Sequence, residues 1–166
     1  MKISVHMQNM IGTISREFRL ETWRLVDLPV VDQQVLEAAH EACKGAYAPH
    51  SAFHVGAAVR LASGAIVVGS NQENMAYPSG LCAERVAFFA AGAQFPGESI
   101  VAAAVVTNTH MDVHHFSPCG GCRQVMLESE LRQATPIRFL MQTAGSDVLV
   151  SHDIRQFLPL TFQLPS

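Results

Sequence analysis

Ile100 to Val106 (IVAAAVV) is an apolar run with no polar residue to break it. Successive side chains of a strand point to opposite faces, so a strand can be apolar at every position only when both faces are covered. The run therefore predicts a central strand over 100–107 with helices packed on either side of its sheet. It is far short of the roughly 20 residues that cross a bilayer. Around it, Val35, Leu36, Ala39, Cys43 and Ala46 fall at helical spacing, with Asp32 as the expected N-cap. Phe53–Leu61 and Ala65–Gly69 read as a hairpin turned by Ser63-Gly64. Helices are expected from Cys82 to Gln94, with Val86, Phe89, Ala90 and Ala93 on its apolar side, and from Cys119 to Leu131. Short strands follow at 137–141 and 148–150, and then a last helix capped by Ser151. Strands alternating with helices in this order predict an α/β fold, a three-layer α/β/α sandwich around a mixed sheet of about five strands. Residues 1–28 stand apart as an N-terminal arm or extra strand, and 29–166 form the main domain.

Composition narrows the functional classes. Charged residues make up 15% of the 166 positions, against about 25% in an ordinary soluble domain. So few charges leave surface that other subunits are expected to cover. The net charge is −3 and Lys plus Arg total 11, which argues against binding to nucleic acid or to an anionic membrane. The first ten residues (MKISVHMQNM) show no continuous apolar segment of a secretory signal. The expected location is cytoplasmic, where the four cysteines are thiols or metal ligands rather than disulfides.

Three of those cysteines begin predicted helices: Cys82 in Cys-Ala-Glu-Arg, and Cys119 and Cys122 in Pro-Cys-Gly-Gly-Cys-Arg. A helix N-terminus stabilises negative charge and so favours the thiolate that a metal requires. Two cysteines three apart on one turn can face a single ion, and three protein ligands leave a fourth tetrahedral position open. Thiolate ligands favour Zn2+, one per subunit. Arg85 and Arg123 follow the two motifs closely enough to draw negative charge from the sulfurs. Glu84, two residues after Cys82, is placed beside the ion without ligating it, where it can pass a proton from water to substrate.

These segments resemble the homotetrameric, three-cysteine branch of the cytidine deaminases. The likeness rests on Cys82–Arg85, Pro118–Gln124, Tyr47–Ala58, Asn71–Tyr77 and Leu158–Phe162. It implies hydrolytic deamination of cytidine and deoxycytidine to uridine and deoxyuridine, with Glu84 as general acid and base and Cys82, Cys119 and Cys122 as zinc ligands. It further implies that Asn71 and Glu73 bind the ribose 3′-hydroxyl, that Phe53 packs along the pyrimidine and that the Ala83 N–H contacts the base. Tyr77 and Phe162 would reach a neighbouring subunit's site, so that a homotetramer completes the pocket around its pyrimidine nucleoside. Met75 stands where the family usually has a small residue, and Glu128-Ser129-Glu130 replaces a commoner Glu-Phe. Two other readings stay open at this point: a deaminase of another nucleoside such as a blasticidin-type antibiotic, and a zinc module without catalysis.

Plainer readings compete at several residues. Cys43 lies in the apolar stripe of the first helix and reads as core. His110, His114 and His115 read as a solvated loop, and His50 and His54 as surface. Asn71 and Glu73 read equally well as turn formers on spacing alone.

Overall fold

The computed structural model describes residues 12–162; the first ten residues, and most of the first half of the predicted arm, lie outside that range. Six strands form one mixed sheet: β1 (Glu21–Trp23), β2 (Val55–Leu61), β3 (Ile66–Ser70), β4 (Ile100–Thr107), β5 (Arg138–Gln142) and β6 (Val148–Ser151). Their order is β1-β6-β5-β4-β2-β3. Among the described strands, only the β4–β5 pair is parallel. Among the described residues three α-helices accompany the sheet: α1 (Val30–Ala42), α2 (Ala83–Gln94) and α3 (Gly120–Gln133).

Strand β4 shows why an unalternated run must be central. Ala102, Ala104 and Val106 join the core under α1 with Val35, Leu36 and Ala39. Ala103 and Val105 join the core on the other face with Ala87 and Phe88 of α2 and Met126 and Leu127 of α3. The helices lie close to the strands because two glycines lack a side chain at the contacts. A β-carbon on Gly56 would sit 2.0 Å from the Ala39 carbonyl oxygen of α1, and one on Gly69 would sit 2.5 Å from the Ala87 nitrogen of α2.

The sheet has six strands rather than about five, because β1 of the N-terminal arm pairs antiparallel with β6, Glu21 opposite Val150. His152 Nε2 meets Glu21 Oε1 at 2.9 Å, and Phe18 packs edge-on against Phe157. Three local expectations also change. Pro29, not Asp32, occupies the N-cap of α1. Asp32 is buried one turn in, where its carboxylate accepts from Arg138 Nε of β5 at 2.7 Å. The buried side of α2 is Ala83, Glu84, Ala87, Phe88 and Ala91, with Phe89 half exposed. Asp153 rather than Ser151 caps the last helical turn, Ile154–Phe157. No helix among the described residues is long and apolar enough to cross a membrane.

Candidate active site

Helices α2 and α3 lie on the same face of the sheet with their N-termini together. Cys82 is the N-cap of α2 and Cys119 the N-cap of α3, both in extended backbone conformation. Cys122 lies on the first turn of α3 and is fully buried. The three sulfurs lie within 4.8 Å of one another, with Cys119 Sγ 3.8 Å from Cys82 Sγ and 3.4 Å from Cys122 Sγ. A tetrahedron with Zn–S bonds of about 2.3 Å has edges of roughly 3.8 Å, so the spacing fits three corners of a zinc site. Cys43 takes no part in the cluster. It is buried under α1, its thiol donates to the Val106 carbonyl at 3.6 Å, and burial pushes its pKa up.

The electrostatics also suit a cation. Hydrogen bonding to Cys122, Cys119 and Arg85 pushes the Cys82 thiol down to about 5, against the opposing effect of burial. Arg85 Nη2 donates to the Gly80 carbonyl at 3.3 Å, and its Nε is buried with no hydrogen-bond partner. That donor offers positive charge beside a sulfur-rich centre. Glu84 is only 5% exposed. Burial, joined by the negative charge of Cys82, pushes its carboxyl up to about 7 against a hydrogen bond from its own backbone N–H. A carboxyl poised near neutrality both accepts and returns a proton readily.

Cys82, Glu84, Arg85 and Cys119 line a cavity of about 760 Å³. Phe53 supplies an aromatic wall and Phe116 meets it edge-on, ring centroids 6.3 Å apart. Asn71, Glu73, Tyr77 and Ala83 line the cavity as well. An aromatic wall facing several convergent polar groups is the character of a site that orients a flat, polar ligand.

A model of the cytidine and deoxycytidylate deaminase zinc-binding region matches residues 29–136. The chain belongs to this deaminase family. A cytidine deaminase of Halalkalibacterium halodurans is 44% identical over 96 residues, 58% of this chain and 70% of the relative. One from Mycobacterium tuberculosis is 36% identical over 129 residues, 77% of this chain and 84% of the relative. Among solved structures, the cytidine deaminase of Burkholderia pseudomallei superposes with a TM-score of 0.68 at 40% identity, covering 78% of this chain and 97% of the other. That of M. tuberculosis gives 0.59 at 32%, covering 79% and 96%.

Against that deaminase frame, the residues named from sequence divide. Phe53, Asn71, Glu73, Tyr77, Cys82, Ala83, Glu84, Arg85 and Cys119 share one cavity, and Cys122 joins them through the sulfur cluster. Arg123 directs its guanidinium elsewhere: Nε to the Pro118 carbonyl at 2.7 Å, Nη2 to Ser117 Oγ at 2.8 Å and Nη1 to the Phe157 carbonyl at 3.2 Å. It thus holds the turn that delivers Cys119 rather than donating to a sulfur. Phe162 does not line the cavity; it is 72% exposed, over a groove between α2 and α3. Tyr77 is 87% exposed at the cavity mouth. Sequence reasoning missed Phe116, His115 and His50, all of which line the cavity. The clue to Phe116 was available, an aromatic residue three before Cys119 in the loop that must reach the metal motif.

Proposed function

We propose that the chain deaminates cytidine and deoxycytidine hydrolytically, giving uridine or deoxyuridine and ammonia. The observation that carries this reading is the buried Glu84 carboxyl in the cavity that Phe53 and two members of the three-sulfur cluster, Cys82 and Cys119, also line. Cys82, Cys119 and Cys122 would hold a zinc ion, which when bound would supply Lewis acidity and lower the pKa of water. Glu84 takes a proton from the attacking water and places it on N3 of the pyrimidine, while the water oxygen bonds to C4. Glu84 then carries the second proton to the 4-amino group, and the C4–N bond breaks to release ammonia. Arg85 withdraws negative charge from the sulfurs, and Arg123 fixes the turn before Cys119. Phe53 orients the base and the Ala83 N–H contacts it, while Asn71 and Glu73 bind the sugar. Such positioning sets the reacting atoms at attack distance.

The assembly belongs to the same reading. Tyr77 and Phe162, exposed in the single chain, enter neighbouring pockets of a homotetramer holding one Zn2+ per subunit. Thiolate ligands suit a reducing cytoplasm and the reuse of pyrimidine nucleosides. Sedimentation of an active tetramer is the expected result, and a stable, fully active monomer would remove the shared pocket.

The decisive experiment measures uridine and ammonia formed from cytidine by the zinc-loaded protein, with Glu84→Gln alongside. The variant should keep its fold and zinc but lose roughly 10²–10⁴ in turnover. Near-normal activity in the variant would overturn the assignment of Glu84. An inactive, zinc-loaded wild type would overturn the choice of substrate.

A further inference from the structure

Ser51 lies on the cavity wall in the irregular segment that carries Phe53, and neither its spacing nor the family likeness gives it a role. Its hydroxyl joins two parts of the pocket. Ser51 Oγ donates to Glu73 Oε1 at 2.5 Å and accepts from the Phe53 N–H at 3.0 Å. The His50 and Ser51 backbone N–H groups donate to the other oxygen, Glu73 Oε2, at 2.7 and 3.3 Å. Between Ser51 and Phe53, Ala52 holds the left-handed conformation with φ 55°, which costs energy in a residue bearing a β-carbon. On the far side Asn71 closes the segment, Oδ1 accepting from the Val55 N–H at 2.8 Å and Nδ2 donating to the Phe53 carbonyl at 2.9 Å. A strained turn is thus clamped by the two side chains that line the sugar end of the cavity.

The acceptor inventory gives the clamp a consequence. An ionised carboxylate has about four lone-pair sites, and the three donors on Glu73 leave a single one, on Oε1, for a ligand. One free acceptor suits one sugar hydroxyl. Because the Ser51 hydroxyl has one proton and spends it on Oε1, it fixes the direction of the remaining lone pair. The Phe53 N–H bond to the same Oγ ties that direction to the aromatic wall. The carboxylate is also held ionised: the Ser51 hydroxyl, followed by the His50 N–H, keeps it below its ordinary value of 4.5.

We propose that Ser51 is a positioning residue for nucleoside recognition, aiming the one free acceptor of Glu73 at a single sugar hydroxyl while holding Phe53 against the base. The proposal rests on the nucleoside deaminase reading above. It is tested by comparing kcat/KM for 2′-deoxycytidine and 2′,3′-dideoxycytidine, which differ only in the 3′-hydroxyl, in the wild type, Ser51→Ala and Ser51→Thr. The wild type should favour the hydroxylated substrate by roughly 10-fold or more, the scale of one charge-assisted hydrogen bond. Ser51→Ala should cut that preference at least about 5-fold, mainly through KM, and Ser51→Thr, which keeps the hydroxyl, should restore it. A merely structural role would depress both substrates alike and leave the preference unchanged, which would overturn the proposal while the deaminase reading stands. Absence of any wild-type preference would overturn the sugar contact of Glu73 itself. Absence of turnover with both substrates and with cytidine would overturn the deaminase reading.

Discussion

Replacing Gly69 by alanine is expected to damage catalysis from a position outside the cavity. Gly69 lies in β3 beneath α2, and an added β-carbon would meet the Ala87 nitrogen at 2.5 Å and the Ala83 carbonyl oxygen at 2.7 Å. Both atoms are helix backbone and cannot swing aside as a side chain does. Ordinary contact starts at 3.4 Å, so α2 must retreat by roughly 0.7–0.9 Å, close to the 1 Å misplacement that costs about 10²-fold in rate. Ala83 is flanked by Cys82 and Glu84, so the first turn of the helix carries the displacement straight into the site. Gly56→Ala is the matched control. Its clash is worse, 2.0 Å from the Ala39 carbonyl oxygen, but it displaces α1 on the opposite face, where no site residue lies. Overpacking should cost about 1–3 kcal/mol of stability at Gly69 and at least as much at Gly56. The assay pairs kcat for cytidine at a temperature where both variants are folded with urea denaturation and zinc content. Gly69→Ala should lower kcat by about 10-fold or more, whereas Gly56→Ala stays within about 3-fold of wild type. A wild-type kcat in Gly69→Ala, or equal losses in the two variants, would refute the coupling between helix seating and catalysis.

Other tests address separate parts of the structure. Glu130 Oε2 accepts from the buried Ile137 and Ile154 N–H groups at 2.9 and 2.8 Å. Glu130→Ala strands both donors and should cost about 2–5 kcal/mol in urea denaturation, whereas Glu130→Gln keeps an oxygen there and should cost clearly less. Chelation should lower the thermal midpoint of the zinc-loaded protein, since a metal bound only by the folded state stabilises it. Cys119→Ser should retain less than a full equivalent of zinc by metal analysis. The depressed pKa of Glu73 gives its clamp a pH window with a definite sign. The clamp is fully present above the ordinary value of 4.5 and is lost only as pH falls through the lower folded value. KM for cytidine should therefore stay flat down to that value in the wild type, and begin rising at higher pH in Ser51→Ala.

The parts of the molecule legible in the sequence are those set by short spacings. Cys119 and Cys122 on one helical turn, Glu84 beside Cys82 and the unbroken run of β4 carry their meaning within a few residues. What escaped depends on contacts between distant segments. Asp32 looks like an N-cap by its neighbours, yet Arg138, 106 positions away, draws it into a buried pair. Phe89 looks like core by periodicity, but the closest approach of α2 is at Gly69, which selects the small face of Ala83 and Ala87. Phe116 and Ser51 sit in irregular segments whose side-chain directions no periodicity fixes. Arg123 was placed correctly along the chain, but its target depends on Phe157, 34 positions further on.

The strand order also has a consequence for how the chain is completed during synthesis. Among the described strands β1 comes first along the chain, but its partner β6 lies at Val148–Ser151. The segment from Glu21 to Trp23 must therefore wait unpaired until β6 has been translated, and it then closes the sheet beside that strand. Pairing across so many residues is slow because the ends of a long loop must first meet. Until then β6 is an open edge, available to β6 or β1 of another nascent copy. Strand β1 is thus the last of the described strands to dock although it precedes the others along the chain, and its arrival ends the period in which two chains can be mispaired.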